Sequence, residues 1–304
     1  MKEPLYYYTD FETFKLILQN GTLRFKESIT SNDMKDTVLL FEHFKELVRE
    51  KVNEPDLEPS LGFLFNILGR REYINRRLSL VACFTTKGDS RLLWDAYTMN
   101  RKNRENCKYN GVCIEIDPEE LLRAAEQYSK IFDWIEMQPI KYGYDKIDSV
   151  IDRELKKFKE NVLILMRDED QSQDIIPPIY MQLITKTKEF KLKKCIVYPM
   201  LEIMNVFDKY SPFYKHQFWN EENETRMLLS INRNNDNYKI IPKDDSNDAF
   251  YWDVKITEKC IRNVILGPEL NEENIMELKS INGAINYQSL EKLSSQGTGV
   301  ITNR

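Results

Sequence analysis

Two near-continuous apolar runs constrain this chain most: Leu78-Ser79-Leu80-Val81-Ala82-Cys83-Phe84 and Gly111-Val112-Cys113-Ile114-Glu115-Ile116. Runs of this length and character read as buried strands. Shorter β-favouring runs accompany them. Leu5-Tyr6-Tyr7-Tyr8-Thr9 opens the chain, and Leu23-Arg24-Phe25 follows. Further strands are expected over 226–231, 238–241, 251–254 and 262–266, the last ended by Gly267-Pro268.

Helix signals sit between these runs. Thr9 with Glu12 forms a capping-box pattern, Phe11, Phe14, Ile17 and Leu18 line one helical face, and Asn20-Gly21 supplies a stop. Ser31-Asn32-Asp33 opens a helix through Phe41 and Leu47, and another is expected near 61–71. Asp89 or Ser90 starts a helix carrying Trp94 and Tyr97, Asp117-Pro118 starts the next, and a short one is expected near 271–280. The pattern is α+β. It predicts one domain over residues 1–293 with a helical insertion at about 145–214, and a flexible polar tail over 294–304.

Composition narrows the chemistry. With 304 residues and 41% hydrophobic content the chain buries a full core. A net charge of -5 argues against coating nucleic acid by bulk electrostatics. The 5 cysteines form no CxxC pair and fit a reducing, cytoplasmic compartment. The 2 histidines, His43 and His216, weaken zinc and histidine-based mechanisms, so no metal is expected. The 10 glycines include no phosphate-cradling motif. No apolar run approaches the roughly 20 residues of a membrane helix, and the start lacks a signal-peptide core. Glutamate, arginine, tyrosine and hydroxyl side chains are left to carry any reaction.

The acid-rich stretch Lys215-His216-Gln217-Phe218-Trp219-Asn220-Glu221-Glu222-Asn223-Glu224-Thr225-Arg226 runs into Met227-Leu228-Leu229. In an extended strand the period of two puts Glu222, Glu224 and Arg226 on one face. Two carboxylates and a guanidinium there suit a site that holds a developing positive charge. They also suit a salt-bridged sheet edge.

The landmarks in order are Leu5 to Thr9, Asn32-Asp33, Cys83-Phe84-Thr85, Leu92-Leu93-Trp94-Asp95-Ala96-Tyr97, Gly111 to Ile116, Lys215 with Glu222 to Arg226, and Val264-Ile265-Leu266-Gly267. Together they resemble the bacterial domain-of-unknown-function family 2971. That family is similar to the ADP-ribosyltransferase superfold, which implies mixed and antiparallel sheets split around a cleft that takes NAD as substrate. The resemblance implies Tyr7-Tyr8-Thr9 as the first motif, with Tyr7 where a histidine is frequent. Cys83-Phe84-Thr85 or the helix from Ser90 to Tyr97 stands as the middle motif, and Glu222-Asn223-Glu224 as the last.

The chemistry gives these positions roles. Cleaving the nicotinamide–ribose bond passes through an oxocarbenium-like state that a carboxylate stabilises. Glu224 is the candidate for that role, with Glu222 orienting or deprotonating the acceptor. Tyr8, Trp94 and Tyr97 would stack on rings of the ligand, and Arg24 or Arg91 would hold its pyrophosphate. Thr85 and Ser90 would line the site, with Asn32, Asp33, Lys215 and Arg226 in support. Of the alternating Tyr7 and Tyr8, Tyr7 is expected to face the ligand and Tyr8 to pack near the helix cap. Trp94 and Tyr97, spaced i and i+3, equally suit a helix core.

Three functions follow. The first is NAD-dependent ADP-ribosyl transfer to a protein or nucleic-acid acceptor, or NAD hydrolysis, in a toxin or anti-phage setting. The second is an inactive nucleotide-binding or sensing module. The third is a nucleic-acid-directed defence protein gripping phosphates through Arg70-Arg71, Arg76-Arg77 and the lysines over 186–194.

Overall fold

The computed structural model describes residues 3–28, 39–51, 77–98, 110–143, 149, 151–158, 160, 205, 207–246 and 248–289. The expected caps at 31–33, the helix near 61–71, both arginine pairs except Arg77, the lysines over 186–194 and the tail lie outside them. The chain forms two compact units. One comprises Met1–Asn32, Leu78–Ile140 and Phe218–Arg304, the other Asp33–Arg77 and Lys141–Gln217.

The first unit is a mixed α+β body on a largely antiparallel open sheet. Its described strands are β1 (Leu5–Thr9), β2 (Thr22–Glu27), β3 (Arg77–Thr85), β4 (Val112–Ile116), β5 (Trp134–Pro139), β8 (Glu224–Asn232), β9 (Lys243–Asp244), β10 (Ala249–Lys255), β11 (Ile261–Leu266) and β12 (Tyr287–Ser289). They order as β12-β11-β4-β1-β3-β2-β10-β9, while β8 pairs with β3 and β5. The β11–β12 pair is parallel. β5 was not expected; it pairs along β8 from Trp134↔Ser230 to Pro139↔Thr225, with Ile135 and Met137 packed against the core.

Alternation sorts the side chains onto two faces. Leu5, Phe25, Leu80, Phe84, Ile114, Ile116, Met227, Leu229, Ile231, Val264 and Leu266 join one core, which α1 (Phe11–Asn20) and the Pro118–Glu126 and Glu272–Ile281 helices cover. On the other face Tyr8, Leu93, Trp94, Cys113 and Ile265 make a smaller cluster beneath the Arg91–Tyr97 helix.

Two local expectations are corrected. Asp10, not Thr9, caps α1: its carboxylate accepts from the Thr13 N–H at 2.9 Å. Thr9 stays extended because it completes the ladder opposite Val112, which leaves the turn to the next residue. The helix stops at Gly21, whose φ of 60° is one glycine adopts without strain. Residues 236–240 form a 3₁₀ turn rather than a strand, since Asn232 and Asn235 fold their side chains onto the Asn234 and Asn237 N–H groups.

The second unit contains α2 (Leu39–Lys51), helical residues 151–158, and β6 (Lys141–Tyr142) parallel to β7 (Tyr214–Lys215). The Phe44 and Phe207 rings pack tilted in its interior, centroids 5.0 Å apart. Among the described residues no helix is long and apolar enough to cross a membrane.

Candidate functional site

Glu222, Glu224 and Arg226 do not share one strand. Glu222 ends a 3₁₀ turn, Gln217–Glu222, and β8 begins only at Glu224. Between them Asn223 takes a φ of 46°, in the left-handed region that asparagine tolerates better than most residues. Its N–H closes the turn on the Asn220 carbonyl at 3.1 Å. Glu224 and Arg226 then share one face of β8, opposite Met227 and Leu229 in the main core.

The loop after β3 grips this kink. The Thr85 hydroxyl donates to the Glu222 carbonyl at 2.8 Å and accepts from the Lys87 N–H at 3.1 Å. The Lys87 ammonium donates to the Glu221 carbonyl at 2.7 Å, and the Asn223 amide donates to the Thr86 hydroxyl. On its other side the loop meets β1: the Tyr8 hydroxyl donates to the Lys87 carbonyl at 2.9 Å and accepts from the Ser90 N–H at 3.0 Å. One hydrogen-bonded chain thus joins the first strand, the loop after β3 and the glutamate segment.

The Tyr97 hydroxyl donates to Glu222 Oε1 at 2.8 Å. Burial, then the charges of Glu222 and Glu224 with Cys83, push the Tyr97 phenol well above its ordinary value. Both glutamates therefore act on one phenol, on a residue 36% exposed. Arg226 holds the Glu224 carboxylate through Nε at 2.5 Å and a second nitrogen at 3.3 Å. This pair is deeply buried, Arg226 at 1% and Glu224 at 6% exposure. Burial also raises the Tyr8 phenol, and it raises Asp89, which accepts from the Trp94 indole at 3.3 Å.

The other expected residues are placed as follows. Tyr7 turns into the main core against Phe84, with centroids 5.8 Å apart, and burial pushes its phenol up to about 12. The faces expected for Tyr7 and Tyr8 are thus exchanged: Tyr8 reaches the site loop. Thr9 is buried in β1, packed so closely against Gly111 that a Cβ there would strike the Thr9 carbonyl. Trp94 is 1% exposed and edge-on to Tyr8 at 5.2 Å, a wall of the site with no open ring face. Arg24 is bidentate with Asp253 at 2.8 Å and lies 3.9 Å over Tyr251, so a pyrophosphate would have to compete for it. Exposed Arg91 sits 3.8 Å from Asp95, a weak surface pair easily exchanged for another anion. Ser90 caps the Arg91–Tyr97 helix through its backbone alone. Lys215 belongs to the second unit, opposite Tyr142. Asn32 and Asp33 lie outside the described residues. Lys87 was not singled out from the sequence. Its signal was its place in Thr85-Thr86-Lys87-Gly88-Asp89, a polar run directly after a buried strand. Among the described residues no cluster of three or more histidine, cysteine, aspartate or glutamate side chains is placed to hold a metal.

Comparison matches a stretch that includes the glutamate segment and part of the helix that carries Tyr97. Residues 93–227 match the family described as "Protein of unknown function (DUF2971)". The match runs from within the Arg91–Tyr97 helix to the start of β8, and so includes Tyr97, Glu222, Glu224 and Arg226. β1 and the loop after β3, with Tyr8, Thr85 and Lys87, lie outside it. No curated protein and no solved structure matches the chain.

Proposed function

We propose that the chain binds NAD beside Tyr97, Glu222 and Glu224 and cleaves the bond between nicotinamide and ribose, as an ADP-ribosyltransferase or NAD glycohydrolase does. The observation that carries the reading is the joining of three distant segments. Tyr8 of the first strand, Thr85 at the end of β3 with Lys87 just after it, and the Glu221–Asn223 kink meet through hydrogen bonds, where the resemblance calls for three motifs around a split cleft.

The residues divide the work. Developing oxocarbenium charge needs a fixed carboxylate nearby, and Arg226 fixes that of Glu224. Glu222, hydrogen-bonded to the phenol of Tyr97, is the group to orient an acceptor hydroxyl or water. The half-open Tyr97 ring offers a surface for a ligand ring, which the buried Trp94 does not. Whether ADP-ribose passes to a macromolecule or to water follows from what reaches Glu222.

A second reading, nucleotide binding without turnover, is favoured by one observation. Glu224 is 6% exposed and its charge faces a guanidinium at 2.5 Å, which leaves less of it to act on a ribosyl cation. Nicotinamide release from NAD separates the two. The enzymatic reading expects turnover that falls about a hundredfold or more in Glu222→Gln or Glu224→Gln, the scale of one lost electrostatic stabiliser. Saturable NAD binding without nicotinamide release supports the second reading. No NAD binding by calorimetry overturns both.

A further inference from the structure

The face that carries Tyr8 and Thr85 holds one more polar row, which the proposed reaction does not use. Tyr6 stands directly opposite Glu115 in the β1–β4 ladder, and Asn263 stands opposite Glu115 from the β11 side. Opposed residues point to one face with Cβ atoms about 5 Å apart, so the three side chains line up over roughly 10 Å.

The row is poorly satisfied from within. Asn263 is 8% exposed, yet its Oδ1 is buried without a hydrogen-bond partner among the described residues. A buried polar atom in that state calls for a reason. Tyr6 and Glu115 are half-buried, and among the described residues neither takes part in an ion pair or a side-chain hydrogen bond. The position of the phenol is fixed: a Cβ on Gly88 would lie 2.7 Å from the Tyr6 ring, so the loop backbone presses directly on it.

The surroundings set the charge. One flank is the apolar cluster of Tyr8, Leu93, Trp94, Cys113 and Ile265. Arg262, whose charge reaches Tyr6, is already held by Asp117 at 2.7 Å. Asp89, beyond Cys113, accepts from Trp94. Among the described residues the Glu115 carboxylate has no ion-pair partner.

We propose that Tyr6, Glu115 and Asn263 form a binding subsite for a small organic cation bearing N–H donors, of the guanidinium class. A planar guanidinium places two parallel N–H groups on a carboxylate and keeps further donors at its edge. Here the fork meets Glu115, a third N–H meets Asn263 Oδ1, and the Tyr6 hydroxyl oxygen accepts another. An ammonium, with its donors crowded on one atom, reaches fewer members of the row.

Titration calorimetry of the full chain with agmatine, in the absence of NAD, tests this subsite separately from NAD cleavage. Agmatine is expected to bind saturably and tetramethylammonium, which has no N–H donor, is not. Glu115→Gln should weaken agmatine about tenfold or more, the scale of charge-assisted hydrogen bonds. Asn263→Leu should weaken it severalfold while Tm holds or rises, because the substitution removes an unpartnered buried oxygen. If Glu115→Gln does not fold, Tyr6→Phe takes its place and should weaken binding severalfold. Absence of saturable agmatine binding, equal binding of tetramethylammonium, or affinity untouched by these substitutions overturns the proposal.

Discussion

The two faces of the first unit's sheet are built from alternate residues of the same strands, yet they do different work. On one face Leu5, Phe84, Ile114, Leu229 and Val264 close a single apolar core. On the other, their neighbours Tyr6, Thr85, Glu115, Glu224, Arg226 and Asn263 carry polar groups: Thr85, Glu224, Arg226 and Asn263 are buried, Tyr6 and Glu115 half-buried. The first face needs only hydrophobic bulk of the right volume. The second satisfies some of its groups by named partners and leaves others, such as Asn263 Oδ1, without one among the described residues. Substitutions on the core face should therefore act on stability alone, and those on the polar face on stability and binding together.

The largest test of that difference is Arg226→Met. It leaves the Glu224 carboxylate buried with its guanidinium gone, and removal of one partner from a buried pair costs about 3–5 kcal/mol. Urea unfolding measures it. The double variant Arg226→Met with Glu224→Gln removes both charges and should regain a large part of the loss. A double variant as unstable as the single one would show that the pair is not coupled, and the polar face would then be no different from a packed core.

A smaller test sets neighbours on one strand against each other. The Tyr8 hydroxyl satisfies the Ser90 N–H and the Lys87 carbonyl, so Tyr8→Phe leaves a part-buried backbone donor unmet and should cost about 1–3 kcal/mol. Tyr7 lies on the core face and makes no side-chain hydrogen bond among the described residues. Tyr7→Phe should change stability by about 0.5 kcal/mol or less and leave NAD binding unchanged. Equal losses from both would erase the distinction between the faces.

The strands that share the apolar core were legible because burial writes itself into composition: the runs at 78–84 and 111–116 became β3 and β4 nearly as expected. The local conformation at the glutamates was not legible. A period of two assumes an unbroken strand, and Asn223 in the left-handed region breaks it between Glu222 and Glu224. Nor could the sequence say which of three consecutive tyrosines faces the loop, since alternation fixes relative faces and tertiary pairing alone decides which face is which. β5 escaped because it is short and its partner lies about ninety residues on, although Ile135 and Met137 alternate with Glu136 and Gln138.

The cap of α1 gives a third, still smaller measure. Asp10→Ala should cost about 1 kcal/mol by removing the bond to the Thr13 N–H. Thr9→Ser, expected from the sequence to preserve a cap, should be felt instead through packing beside Gly111 and Val112. A Thr9 substitution that melts the helix while Asp10→Ala is silent would restore the first assignment.

The smallest effect expected is in pH dependence, and it differs in sign between two aspartates. For Asp117, burial acts to raise the carboxyl, but the Arg262 guanidinium and the Glu120 and Glu119 N–H groups outweigh it and hold it below the ordinary value. The folded protein then binds that proton less readily than the unfolded chain. Its contribution is present above the usual aspartate range, near pH 4, and is lost as pH falls through the depressed value. Burial raises Asp89, only partly offset by the Trp94 indole, so its ionised form is a cost at neutral pH that lifts as acid protonates it. Melting temperature followed from pH 7 downward should show a shallower acid decline in Asp117→Asn than in the parent. Asp89→Asn should raise Tm at neutral pH and converge on the parent in acid. An Asp89→Asn profile identical to that of the parent would mean that Asp89 is solvated in the folded protein, and that the polar face near Trp94 is open to water rather than buried.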